Sequence, residues 1–132
     1  MDQDPVQSVN NTNTVITHND YIEVIWEGPQ NSEKVHQSNV ETLKAVEIIQ
    51  SKHKPLLLLL RIYNHPLAPN MEAFQEVLKI FQAITFNKVA ISGTVSPQME
   101  TLIASVVSSI NEEVELAYIA EPEEALAWLR SN

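Results

Sequence analysis

The 132-residue chain has no cysteine, only two glycines, and eight basic residues against seventeen acidic ones. Without cysteine there are no disulfides, no zinc-thiolate sites and no thiol nucleophile, in keeping with a cytoplasmic setting. The net charge of -9 repels phosphate backbones and anionic lipid surfaces over a screening length of about 8 Å, which argues against nucleic acid as a partner. No apolar run approaches the roughly 20 residues that cross a bilayer, so membrane insertion is not expected. The opening Met1-Asp2-Gln3-Asp4-Pro5 lacks the basic and then apolar start of a secretory signal, so Asn10-Asn11-Thr12 matches a glycosylation acceptor by chance. No Gly-x-Ser-x-Gly elbow and no phosphate-cradling loop occurs, and no cofactor is implied.

What is present is a single-domain length with 44% apolar residues, enough for one core without covalent staples. Residues 56–60 are five consecutive leucines between Pro55 and Arg61. A run this apolar and this short fits the central strand of a sheet covered on both faces. Residues 1–13 are polar, without apolar period, and read as a mobile tail before a single domain at 14–132.

From residue 14 the periods change. Thr14-Val15-Ile16-Thr17 and Tyr21-Ile22-Glu23-Val24-Ile25-Trp26 flank His18-Asn19-Asp20, which reads as a hairpin. Gly28-Pro29 ends the second arm, and Ser32 caps a helix with Val35, Asn39, Leu43, Val46 and Ile49 at helical spacing. The leucine strand leads into a loop at residues 63–69, and Asn70 caps a second helix with Met71, Phe74, Val77, Leu78, Phe81 and Ile84 inward. Val89-Ala90-Ile91-Ser92 is a short strand ending at Gly93, and Ser96-Pro97 starts a third helix. Residues 114–119 form a last strand, and Pro122 opens a last helix. The order β-β-α-β-α-β-α-β-α predicts an α/β domain: a five-stranded mixed, mostly parallel sheet with four helices.

The closing Glu123-Glu124-Ala125-Leu126-Ala127-Trp128-Leu129, preceded by the strand at 114–119, resembles the C-terminal signature of the STAS-like family related to the sporulation anti-sigma factor antagonist. The strand at 21–26 ending in Glu27-Gly28, the apolar strand ending in Arg61, and Lys88-Val89-Ala90-Ile91 occur in the order that family shows. The likeness spans residues 14–132 and rests mostly on packing residues, so it speaks to fold more than to activity. It implies a β/α superhelical binding or interaction module, not an enzyme, in a group whose relatives bind regulatory proteins, nucleotides or lipids. The sigma-regulating branch carries a phosphorylatable serine at the start of the helix after the central strand. Here that region reads Ala68-Pro69-Asn70-Met71-Glu72-Ala73, with no hydroxyl, which disfavours an anti-sigma antagonist. The chain is more similar to the STAS/CRAL-TRIO-like branch of unassigned ligand, from which no functional residue carries over.

Ligands of open α/β sheets bind beyond the carboxyl ends of the strands. Two segments there supply candidate ligand-binding residues. Arg61, Tyr63 and His65 offer a guanidinium, a phenol and an imidazole to a small polar or acidic ligand. Gly93, Thr94 and Ser96 precede a helix N-terminus. Against this stands a plain structural reading, with Arg61 paired to a nearby Glu and Ser96 acting as a cap. His18, His36 and His53 read as surface; His65 is the histidine to test. The alternating Tyr21, Glu23 and Ile25 give the hairpin a mixed face suited to a homodimer contact. The reading is a non-catalytic STAS-like module for a protein partner or a small polar or lipid ligand. Its rivals are a lipid carrier with an apolar internal cavity and a small hydrolase or isomerase using His65.

Overall fold

The computed structural model describes residues 13–67, 71–110 and 114–131. Over these the chain forms β1 (Thr14–Thr17), β2 (Ile22–Glu27), α1 (Ser32–Ser51), β3 (Leu57–Leu67), α2 (Met71–Ala83), β4 (Lys88–Val95), α3 (Pro97–Ile110), β5 (Glu115–Tyr118) and α4 (Pro122–Arg130). The five strands lie side by side in chain order, β1 antiparallel to β2 and the remaining pairings parallel. This is the α/β architecture expected from the sequence.

A sheet laid down in chain order advances the same way at every crossover, so right-handed connections put α1, α2 and α3 on one face. The core shows that division. Ile22, Val24, Trp26, Leu58, Val89 and Ile91 pack with Val35, Val46 and Ile49 of α1, Phe74, Ile80 and Phe81 of α2, and Ile103 and Val107 of α3. The alternate residues Tyr21, Leu57, Leu59 and Ala90 pack on the other face against Ala125 and Leu129 of α4. The leucine run needs no polar alternation because both of its faces are roofed.

Several local expectations shift. The helix α1 is capped by Asn31 rather than Ser32: Asn31 is extended, and its side-chain oxygen accepts the Lys34 N–H at 2.8 Å. Leu43, expected inward, is exposed at 39%. The buried stripe of α1 runs instead through Val35, Ser38, Thr42, Ala45, Val46 and Ile49. Ser38 and Thr42 tolerate burial because their hydroxyls donate back to the Val35 and Ser38 carbonyls at 2.9 and 2.7 Å. That rotates the helix and turns Leu43 outward. Asn13, assigned to the tail, belongs to the fold, since its amide donates to the Gln30 side chain at 2.8 Å and to the Lys34 carbonyl at 3.3 Å. The mobile-tail reading of residues 1–12 and the cap reading of Asn70 lie outside the described residues.

The largest shift is at the carboxyl ends of the central strands. The residues read as loops extend both strands, β3 to Leu67 and β4 to Val95. Gly93 makes the junction: it has φ +116°, and a Cβ there would stand 2.3 Å from the Ile62 carbonyl oxygen. Only a residue without a side chain lets β4 approach β3 so closely.

At the opposite end Lys88 is buried, and its ammonium donates to the Trp128 carbonyl (3.0 Å), the Ser131 carbonyl (2.9 Å) and the Ser131 hydroxyl (3.1 Å). A lysine beneath the C-terminus of α4 joins the Ser131 N–H and hydroxyl on the Trp128 carbonyl and complements the negative end of the helix dipole.

Three substitutions test this reading, the glycine pair by chemical denaturation. Gly93→Ala is expected to destabilise the domain by about 3 kcal/mol through backbone overlap. Gly28→Ala, at φ +74° with nothing within 4 Å of the added atom, is expected to cost only about 1 kcal/mol. Lys88→Met is expected to raise amide hydrogen exchange in α4 ahead of global unfolding.

Candidate functional site

The site is built at the carboxyl end of the sheet by a mismatch between its two longest strands. Pairing of β3 with β4 runs without interruption from Leu57↔Lys88 to Ile62↔Gly93 and resumes at Leu67↔Val95. Between those points β3 advances five residues (62 to 67) and β4 two (93 to 95), so three residues of β3 are extra. On the other side β2 pairs as far as Glu27↔Tyr63. In the described pairings, residues 64–66 therefore match neither neighbour. The sequence explains the bulge. Pro66 has no N–H to give a ladder and is stable in a strand only where pairing lapses.

The expected ligand-binding residues lie around this bulge, in part. The backbones of Tyr63 and His65 are in it or at its start, Gly93 and Thr94 are in the facing stretch of β4, and Ser96 follows that strand. Tyr63, His65 and Thr94 are located by backbone position. Ser96 stands directly before α3, where its carbonyl accepts the Glu100 N–H at 2.9 Å, so its backbone occupies the cap position.

Arg61 is directed elsewhere. Its guanidinium donates to Glu23 Oε2 at 2.7 Å on the face covered by α4, whereas α3 lies on the opposite face. Glu23 is buried, and its other oxygen meets His18 Nε2 at 2.8 Å. Burial raises the Glu23 carboxyl, but the hydrogen bonds and charges of Arg61 and His18 outweigh it and hold the group below its ordinary value of 4.5. His18 stacks on Tyr21 with ring centroids 4.2 Å apart and planes 9° from parallel. Arg130 lies 5.3 Å over the same Tyr21 ring and makes two hydrogen bonds to Asp20, at 2.9 and 3.0 Å. These groups form a connected network from Arg61 to Asp20 that closes β1, β2 and β3 against α4.

The mixed hairpin face expected to meet a second copy is thus largely consumed inside the chain. Tyr21 and Glu23 are each 7% exposed. They are buried because the face carrying them also carries Arg61 and the approach of α4. Sequence reasoning placed His18 on the surface and assigned Glu23 to a hairpin face for a second copy. A carboxylate among alternating apolar residues of a strand was the available signal, since such a group needs a partner across the sheet.

Hollows open at both ends of the strands and inside the fold. A groove of about 300 Å³ beside the bulge is lined by Gly93, Val95, Glu100 and Tyr118. The Tyr118 hydroxyl there donates to the Glu100 carbonyl at 3.0 Å, and burial pushes the phenol up to about 12. A cavity of about 60 Å³ lies between the sheet and α1 and α2, lined mainly by apolar side chains such as Trp26, Leu58 and Phe74. An open hollow of about 550 Å³ at the far end of the strands contains Lys54, Lys88 and Arg130 together with Asp20 and Glu115. Among the described residues no three His, Asp or Glu side chains are grouped to hold a metal, and no helix is long and apolar enough to cross a membrane.

The chain matches no family model, no curated protein and no solved structure.

The pairing of Glu23 has a testable pH dependence. A carboxyl whose folded value is depressed contributes stability that is complete above its ordinary value of 4.5 and is lost as pH falls through the depressed one. Glu23→Gln is therefore expected to lose less stability than the wild type between about pH 5 and about pH 3, measured by urea unfolding at each pH. Arg61→Ala, which leaves the buried carboxylate without its main partner, is expected to cost about 3 kcal/mol at neutral pH.

Proposed function

We propose that the chain is a non-catalytic interaction module of the STAS-like kind, which engages a protein partner through the β3 bulge at residues 64–66 and the adjoining rim at residues 93–96. The observation that carries this reading is the lapse of pairing in the central strand. Residues 64–66 match no partner in the described register, and bulges re-aim side chains at the places where sheets meet ligands. The position is also the carboxyl end of a parallel sheet, where open α/β domains bind.

The charged groups with defined partners support a non-catalytic role. Both oxygens of Glu23, both oxygens of Asp20 and three contacts of Lys88 are engaged in holding the fold together. A lipid carrier needs an enclosed apolar space, and pockets for molecules of drug size run from about 300 Å³ upward. The internal cavity of about 60 Å³ falls well short. The hydrolase or isomerase reading rests on His65 and would require it to act with a carboxylate. The antagonist reading lacks a hydroxyl in residues 68–73, which leaves Ser96 as the residue that kinase labelling would have to mark.

A photo-crosslinking amino acid in place of Thr94 is expected to capture one discrete protein in the host cell that the same group in place of exposed Glu47 on α1 does not. His65→Ala is expected to reduce that adduct at least about fivefold without altering the unfolding midpoint. Equal capture from both positions, or none from position 94, would overturn the proposal. So would hydrolase or isomerase turnover that His65→Ala abolishes.

A further inference from the structure

The strand β1 closes one side of the sheet, and among the described residues its outer edge pairs with no strand. Such an edge presents unpaired backbone groups and is usually blunted by lysine, proline, a bulge or an inward charge. The sequence Thr14-Val15-Ile16-Thr17 has none of these. All four residues are β-branched, the register with β2 is unbroken from Thr14↔Ile25 to Thr17↔Ile22, and Ile16 is 38% exposed. The opposite edge differs, since β5 begins with the exposed Glu115. For a chain of net charge -9, a second copy is repelled least along a strand edge that carries no unpaired acid. Along the sheet margins, β1 meets that condition and β5 does not.

We infer that the β1 edge is a self-association surface on which two copies pair β1 with β1 antiparallel, joining their sheets into one of ten strands about a two-fold axis. An antiparallel strand is its own complement, so a single uncharged edge suffices for a closed dimer and leaves no edge open for further growth at that side. The flank of α1 adds to the contact. Asn13 ties the start of β1 to Lys34 and Ser38 in the first turns of α1, so α1 runs alongside β1. Exposed residues of α1 include Glu41, Lys44 and the 46% exposed Ile48. Glu41 and Lys44 pair at 3.2 Å within one copy, and the two-fold axis lets them exchange partners between antiparallel α1 helices. A four-residue strand alone buries less than the roughly 1,200–2,000 Å² of a stable interface, which makes this a dimer of modest affinity. The bulge at residues 64–66 lies at the end of the sheet and stays accessible in it.

Size-exclusion chromatography with light scattering on the full chain tests this directly. A concentration-dependent dimer is expected below about 100 μM, with Ile16→Lys or Thr14→Lys weakening it at least about tenfold while far-ultraviolet circular dichroism is unchanged. Glu115→Lys, on the other edge, is expected to leave the affinity as it was. A monomer at every concentration overturns the inference, and so does a dimer indifferent to both β1 variants. A third overturning result is a monomeric full chain that dimerises once residues 1–12 are removed, because the chain's own N-terminus would then be the occupant of the edge.

Discussion

The structure depends on the burial of β3 from both sides. Leu58 is 7% exposed under the helices α1 and α2, and Leu57 and Leu59 are 9% and 3% exposed beneath α4. A strand roofed on two faces cannot carry polar alternation, and every other element is positioned by what must cover it. Three crossover helices fall on one face because the chain steps through the sheet in a single direction. One helix, α4, is left for the other face, and its short span explains why small Ala90 and Ala125 meet there while longer polar groups fill the margin.

That margin accounts for the ionic network. A helix of nine residues covers β3 and β4 more fully than β1 and β2. The uncovered part of the face cannot be apolar without exposing a patch, and it cannot be polar without unsatisfied groups. Glu23, Arg61, His18 and the Asp20–Arg130 pair resolve the conflict with mutually satisfied charges and a stacked ring. Glu23 is the buried member, so removal of Arg61 leaves a desolvated carboxylate without its main partner.

The fold was legible in the sequence to the level of element order, because hydrophobic period and run length report burial directly. The leucine run, the hairpin and the opening of α4 at Pro122 were all readable in this way. Leu43 was misplaced because its spacing fits a helical stripe, and spacing alone does not show that Ser38 and Thr42 can be buried by bonding to their own backbone. The strand ends were misread as loops because proline and glycine are turn signals in most contexts. In residues 62–67 and 93–95 they mark a bulge and a close backbone approach instead. Arg61 was expected to pair with an unnamed nearby Glu, and the partner is Glu23, 38 residues away in the chain. Their pairing follows from the register Glu23↔Leu59 and Ile25↔Arg61, which no local pattern encodes.

The order in which the two faces are sealed bears on how the polypeptide acquires its structure during synthesis. Each β-α unit contacts the one before it, so the sheet and its three-helix side can assemble progressively as the chain emerges. The contacts of α4 are of another kind. Arg130 meets Asp20 across 110 positions, and loop closure over such a separation comes late. Until α4 has docked, Leu57 and Leu59 remain bare on a nearly finished sheet. The folding molecule thus passes through a stage whose sticky side is closed only when α4 arrives, and a chain held at that stage is prone to aggregate.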